Sequence, residues 1–214
     1  MQFQTQRLTI RPWQPNNDAR HAMDIFGDAR VMAWLDEDSR DTSIRQAQGR
    51  LQRYLKHSIC GRANLGSWAV EQKDIGRVIG HIMLAPLPDI KVTRTQRSPA
   101  RESTADKEGT PTDYFEIQWS FRPSSWGYGY ASESATPLLQ YAFETLNLPM
   151  VLAIAQPENK RAIALMERVG MQCDGLTARY YGGQPLLLYL SARETSSRAI
   201  QTAQPNLSAR ALSE

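Results

Sequence analysis

The 214-residue sequence predicts a single α/β domain, a sheet flanked by helices. Three observations predict it. Residues 114–121 alternate strictly, with Phe115, Ile117, Trp119 and Phe121 on one face and Tyr114, Glu116, Gln118 and Ser120 on the other. A glycine-punctuated turn follows and opens a helix whose stripe is Ala131, Ala135, Leu138, Leu139, Ala142, Phe143 and Leu146. Two β segments, 66–72 and 76–84, sit close enough around Lys73 and Asp74 to form a hairpin.

The remaining elements fall in order. Leu8 and Ile10 alternate with polar neighbours and mark a strand in 5–13. Asn16, Asn17 and Asp18 supply helix-start chemistry for a segment reaching Phe26. Residues 34–41 are acidic and turn-like, and Thr42 or Ser43 opens a polar helix to about His57. Residues 85–112 hold four prolines, many charges and no apolar periodicity. A structureless loop of that length is uncommon in a compact domain, so it reads as an insertion between strands. Pro137 removes one backbone donor from its helix and should kink it. Residues 150–155 form a short buried strand. Residues 159–169 form a helix with Ala162, Ile163, Met166 and Val169 inward, and Gly170 stops it. Closing strands are expected at 171–181 and 186–191. The domain thus spans 1–194, and 195–214, rich in Ser, Ala, Gln and Arg, reads as a tail.

Composition excludes several classes. Charged residues make up 22% and the net charge is +3, with no dense basic run, which argues against nucleic acid as a partner. Two cysteines, Cys60 and Cys173, make no disulfide framework, and no metal-ligand spacing occurs, so no metal is expected. No window of about 20 apolar residues exists to span a membrane. The first residues lack a signal-peptide pattern. A cytoplasmic protein without a membrane partner is the expectation; oligomeric state is not legible.

The turn at 123–130 carries chemistry. A helix N-terminus presents N–H groups without internal partners, and its dipole favours an anion there. Gly127 and Gly129 let the backbone approach a phosphate closely. A plain two-glycine turn explains the same residues, and composition alone does not choose.

Context does. The run Trp126-Gly127-Tyr128-Gly129-Tyr130-Ala131, after a strand carrying Glu116 and Trp119, resembles the acetyl-CoA motif of the GNAT superfamily of N-acetyltransferases. It is most similar to the branch that includes the ribosomal-protein N-terminal acetyltransferases. Asn159 to Met171 resembles that branch's second helix segment, and the opening strand and the closing strand with Tyr189 are similar too. The resemblance covers 5–194 apart from the insertion. It implies a mixed, mainly antiparallel sheet that splays after Phe121, with acetyl-CoA as donor and an amine as acceptor. Backbone amides from Trp126 through Gly127, Tyr128, Gly129 and Tyr130 to Ala131 would cradle the pyrophosphate. The main chain at Trp119 and Phe121 would pair with the pantetheine arm, an N–H there would polarise the acetyl carbonyl, and Asn159 would contact the arm.

Glu116 stands where this branch places an acidic residue. It reads as a general base acting through water, or as a solvated or arginine-paired carboxylate. An α-amine has a pKa of about 7.7–8.0 and a lysine about 10.4, so neutralising them at pH 7 costs about 1 and about 4.6 kcal/mol. One carboxylate suits the α-amine better, which makes a protein or peptide N-terminus the expected acceptor. Two residues depart from the family: Met166 stands where many members carry a proton-donating tyrosine, and Ala162 where this branch carries a serine. Tyr180, Tyr181, Tyr189 or a water is left to protonate the thiolate, and Tyr189 is the residue assigned. The acceptor pocket should involve Trp34 and Asp36, with Glu37 and Asp38 beside them; such a charge run is also a common solvated loop. A small-molecule amine (polyamine, amino acid or antibiotic) and a catalytically silent acyl-CoA-binding module remain alternatives.

Overall fold

The computed structural model describes residues 2–35, 39–60, 65–87 and 114–193. Eight strands form one sheet: β1 (Phe3–Gln4), β2 (Leu8–Pro12), β3 (Gly66–Gln72), β4 (Arg77–Pro86), β5 (Phe115–Phe121), β6 (Met150–Ala155), β7 (Gln172–Thr177) and β8 (Leu186–Ala192). Their order is β1-β2-β3-β4-β5-β6-β8-β7, antiparallel throughout except for β5 against β6. The helices are α1 (Pro15–Phe26), α2 (Ala29–Met32), α3 (Ile44–Cys60), α4 (Tyr130–Glu144) and α5 (Lys160–Arg168). Among the described residues no helix is long and apolar enough to cross a membrane.

Local chemistry starts these helices. Pro15 occupies the first turn of α1, and Asp18 reaches back to accept from Gln14 N at 2.7 Å. Before α3, Ser43 Oγ accepts from Gln46 N at 3.3 Å while Gln46 Oε1 accepts from Thr42 N at 2.6 Å. Asn159 Oδ1 caps α5 by accepting from Ala162 N at 3.1 Å. Helix α4 runs continuously through Pro137.

The sheet buries both faces. On one, α4 and α5 set Leu138, Leu139, Ala142, Leu165 and Met166 against Ile82, Leu84, Phe115, Ile117, Val151 and Ala153. On the other, α1, α2 and α3 enclose Ala22, Ile25, Phe26, Val31, Met32, Ala47 and Leu51. A third cluster on that second face joins Leu87, Leu152 and Tyr180.

Two boundaries differ from the sequence reading. The sheet parts earlier than Phe121: β5 pairs with β6 only at Phe115↔Val151 and Glu116↔Leu152. From Ile117 onward β5 keeps β4 on one side and has no ladder on the other. The insertion begins later than Ala85, because Ala85 and Pro86 complete β4, and Leu87 N donates to Tyr114 O at 2.9 Å. Pro86 is tolerated there because it faces Phe115, a position where the ladder asks for no N–H from β4. Residues 88–112 of the expected insertion, the tail from 195 and the acidic residues 36–38 lie outside the described residues.

Candidate active site

The parting of β5 from β6 opens a cleft of about 860 Å³. Its geometry follows from the ladder. Leu87 N donates to Tyr114 O and Arg122 N to Ile79 O, so successive residues along β5 alternate between facing β4 and facing away. Glu116, Gln118 and Ser120 therefore spend their main-chain groups on β4. Ile117, Trp119 and Phe121 turn theirs toward the gap. One of these is already used: Trp126 Nε1 donates to Phe121 O at 2.7 Å. Trp119 keeps an unladdered edge within the cleft.

At one end of this edge lies the glycine turn. Gly127 has φ 85° and Gly129 φ 79°, left-handed values that cost a side-chain-bearing residue energy. Gly129 is the N-cap of α4, so the amides of Tyr130, Ala131 and Ser132 have no intrahelical acceptor and, with Gly127 and Gly129, border the cleft. A Cβ built on Gly127 would meet nothing within 4 Å, and one on Gly129 only Arg7 Nη2 at 3.7 Å. The space over both glycines is open, which suits a phosphate pressed against backbone. Arg161 lies over the Trp126 ring at 4.5 Å and lines the same mouth with Arg168.

Two residues of the expected cradle have main-chain partners of their own. Trp126 N donates to Pro123 O at 3.1 Å and is not free for an anion, because Pro123–Ser125 close a 3-10 turn just before it. Tyr128 is 62% exposed and outside the cleft, its carbonyl held by Arg7 Nη2 at 3.0 Å. Asn159 lines the cleft, with its Oδ1 already committed to capping α5.

At the other end, the apex of the splay, sits Glu116. It is 3% exposed. Gln118 Nε2 donates to its Oε2 at 2.9 Å and to Tyr181 Oη at 2.6 Å, and Tyr181 Oη donates to the same Oε2. Burial drives the Glu116 carboxyl up to about 7, against the opposing pull of the Tyr181 and Gln118 hydrogen bonds. It is not solvated, and among the described residues no arginine pairs with it. From Glu116 to Phe121 the strand runs about 17 Å at ~3.3 Å per residue, which separates the acid from the glycine turn by the length of an extended arm.

Around Glu116 the cleft is also lined by Phe26, Met32, Trp34, Leu35, Tyr54 and Tyr181. Arg50 also lines it, but is held by Asp41 at 2.9 and 3.2 Å and stacked over Phe26 at 4.8 Å. Behind this wall His81 stacks on Tyr54, accepts from Trp13 Nε1 at 3.2 Å, and is kept neutral by burial, its pKa pushed down to about 3. Trp34 lines the cleft; Asp36 lies outside the described residues.

Tyr189 is not brought to Glu116. It pairs opposite Ala153, on the sheet face that α5 covers, and its hydroxyl donates to Glu167 at 3.3 Å. Glu116 is on the opposite face, beside Leu152. A strand's period of two fixes this separation. Tyr181, only one of several tyrosines raised from sequence, is the one that reaches the acid. The signal available for it was the run Tyr181-Gly182-Gly183, a turn that frees an aromatic from its strand. Arg50, Tyr54 and His81 carried no such signal.

The Acetyltransferase (GNAT) domain family matches residues 7–172 of this chain. The uncharacterized N-acetyltransferase p20 of Bacillus licheniformis is 28% identical over 176 residues, which is 82% of this chain and 85% of that protein. The uncharacterized N-acetyltransferase YnaD of Bacillus subtilis (strain 168) is 41% identical over a shorter stretch of 61 residues, 28% of this chain and 36% of that protein. Among solved structures, the ribosomal L7/L12 α-N-protein acetyltransferase RimL in complex with coenzyme A superposes with a TM-score of 0.67 at 12% identity, covering 88% of this chain and 95% of that one. At that identity the likeness speaks to the fold.

Proposed function

Because this chain belongs to the GNAT acetyltransferase family and is an acetyl-CoA-dependent acetyltransferase, we propose that its acceptor is a weakly basic primary amine, the N-terminal α-amine of a protein or peptide. The observation that carries this reading is Glu116, buried at the apex of the splay with its carboxyl raised to about 7. A base works best when its pKa lies near the operating pH and near that of the group it deprotonates. An α-amine at about 7.7–8.0 is a close match, and a lysine at about 10.4 is not. The RimL protein of like fold is named as an α-N-protein acetyltransferase, which agrees with this choice.

The chain's own groups divide the work. The amides of Gly127 and of Gly129 through Ser132 would hold the donor's pyrophosphate, with Arg161 and Arg168 adding positive charge at the mouth. The Trp119 main chain would pair with the pantetheine arm along the open edge, and an N–H of that edge would stabilise the developing oxyanion. Glu116 takes one proton from the ammonium. The nitrogen lone pair then forms the C–N bond as the C–S bond breaks, and a second N–H proton ends on the sulfur.

A second reading is a small apolar or aromatic amine, favoured by the ring of Phe26, Trp34, Tyr54 and Tyr181 around the acceptor half. Both are tested by mixing the protein with acetyl-CoA and a panel of peptides, lysine derivatives, polyamines and arylalkylamines at pH 7.5 and following free thiol. Peptides with a free N-terminus should turn over fastest, and N-terminally blocked lysine peptides slowly. Highest turnover on a polyamine or a blocked lysine peptide would overturn the α-amine reading.

A further inference from the structure

We propose that Tyr181 is a positioning residue for Glu116: its hydroxyl, delivered across the cleft by the turn between β7 and β8, fixes the carboxylate's Oε2 and covers it until an acceptor amine takes over that hydrogen bond. The proposal rests on the reading of Glu116 as the base. The geometry is what singles out Tyr181.

The turn is built for this delivery. Tyr180 is 4% exposed and packed with Leu87 and Leu152, and Leu152 lies directly beside Glu116 in the parallel register. The chain is therefore anchored over the acid. Tyr181 then takes φ 51°, a left-handed value that an aromatic residue seldom adopts, and Gly182 and Gly183 continue with φ 80° and 83°. Such a conformation persists only where surrounding structure insists on it, and it tends to occur where a side chain must be aimed. Here the result is a residue that is 45% exposed overall while its hydroxyl bonds a buried carboxylate. Gln118 ties the pair together by donating to both oxygens.

The electrostatics fit this role. Burial raises the Glu116 carboxyl, and the Tyr181 hydrogen bond is the larger of two opposing contributions, ahead of Gln118. The same contact, together with burial, raises the Tyr181 phenol, so it stays protonated and remains a donor. The other groups facing this part of the cleft are Tyr54 and Arg50 from α3, the latter paired with Asp41, and neutral His81 from β4 lies behind Tyr54. None of them contributes to the shift of Glu116. Without the Tyr181 hydroxyl the carboxylate would lose its main stabilising donor while staying buried, so its pKa would rise further. Glu116 acts when deprotonated, so the acid limb of the rate profile would move to higher pH.

Tyr181→Phe keeps the ring and removes the donor. The test follows the Glu116 carboxyl by carbon-13 NMR titration of the full chain without substrate, and kcat against pH on one active acceptor. Tyr181→Phe should raise the carboxyl titration and the acid limb together by about one pH unit, which lowers kcat near pH 7 about fivefold. Gln118→Met should shift both by less. Acetyl-CoA affinity and thermal midpoint should stay close to wild type. An unmoved carboxyl titration in folded Tyr181→Phe, or a larger shift in Gln118→Met, overturns the proposal. Glu116→Gln run in parallel separates the two readings. If that variant keeps the acid limb, Glu116 is not the base, while the carboxyl titration still decides the pairing with Tyr181.

Discussion

Arg7 and Glu133 join the start of the chain to the first turn of α4. Arg7 N donates to Glu133 Oε1 at 2.8 Å and Arg7 Nε to Oε2 at 2.7 Å, while Thr5 Oγ1 adds a third bond to Oε1 at 2.5 Å. The same guanidinium reaches Tyr128 O and lies 4.6 Å from the Tyr130 ring centroid. Burial alone would raise the Glu133 carboxyl, but these bonds outweigh it and hold the carboxyl below its ordinary range. Glu133→Ala should therefore cost about 1–3 kcal/mol of stability, the range for hydrogen bonds to a charged group. It should also loosen the glycine turn and weaken acetyl-CoA binding several-fold. Because the folded pKa is depressed, this contribution is present above the unfolded value near 4.5 and fades as pH falls through the folded one. Chemical denaturation of both proteins at pH 7 and pH 3 checks it: the difference should be large at pH 7 and shrink at pH 3.

Gly129→Val should separate fold from binding. The position is left-handed at φ 79°, so the substitution carries strain of about 1–2 kcal/mol. Its side chain would otherwise enter open space, with Arg7 as the nearest neighbour at 3.7 Å. That space is the one proposed for the pyrophosphate. Calorimetry should find a folded protein with acetyl-CoA affinity reduced at least tenfold. Wild-type affinity in the folded variant would remove the glycine turn from the cofactor site.

Glu116→Gln should trade activity for stability. The kinetic loss should be about 10²–10⁴-fold in kcat near pH 7, the usual worth of a general base, with acetyl-CoA affinity unchanged. The loss should shrink as pH rises and more amine is already neutral. The stability sign runs the other way. Folding raises the carboxyl from 4.5 to about 7, so the folded state favours the protonated form. Its contribution is full below pH 4.5 and is lost as pH rises through 7. Gln, which never ionises, should make the protein more stable than wild type at pH 8 by about 1–3 kcal/mol and nearly equal to it at pH 4. Thermal melts at the two pH values, with a pH–rate profile alongside, decide both halves.

Replacing residues 88–113 with a short Gly-Ser link should leave acetyl-CoA affinity intact. Leu87 and Tyr114 are already hydrogen-bonded across β4 and β5, so the ends to be joined stand side by side. The glycine turn lies at the far end of β5. Loss of affinity in a folded variant would mean that the segment reaches the cofactor.

The strand of Glu116 and the glycine turn beyond it were largely legible in the sequence. Alternation placed Glu116 opposite the Phe115 and Ile117 face, and Gly127 and Gly129 announced the turn, because both signals depend on local geometry: a strand's period of two and the conformations open only to glycine. The same local logic does not reach the partners that the turn's main chain finds. It could not see that the 3-10 turn at Pro123 would consume Trp126 N, or that Arg7, far away in sequence, would hold Tyr128 O.

What the sequence by itself determined was the order of the elements, the family resemblance and a carboxylate on the inner strand. Only the tertiary structure decided which tyrosine serves that carboxylate. Tyr189 and Tyr181 are eight positions apart around one turn, and either could be written into a mechanism. Pairing of β8 with β6 sends Tyr189 to the α5 face, while three left-handed residues after Tyr180 turn Tyr181 back over Glu116. The structure also decided that Glu116 is buried, and with that its raised pKa. Burial is a sum over Leu152, Tyr180, Tyr181 and the helices packed around the cleft. Those contacts join residues far apart in the chain, so no local window of sequence contains them.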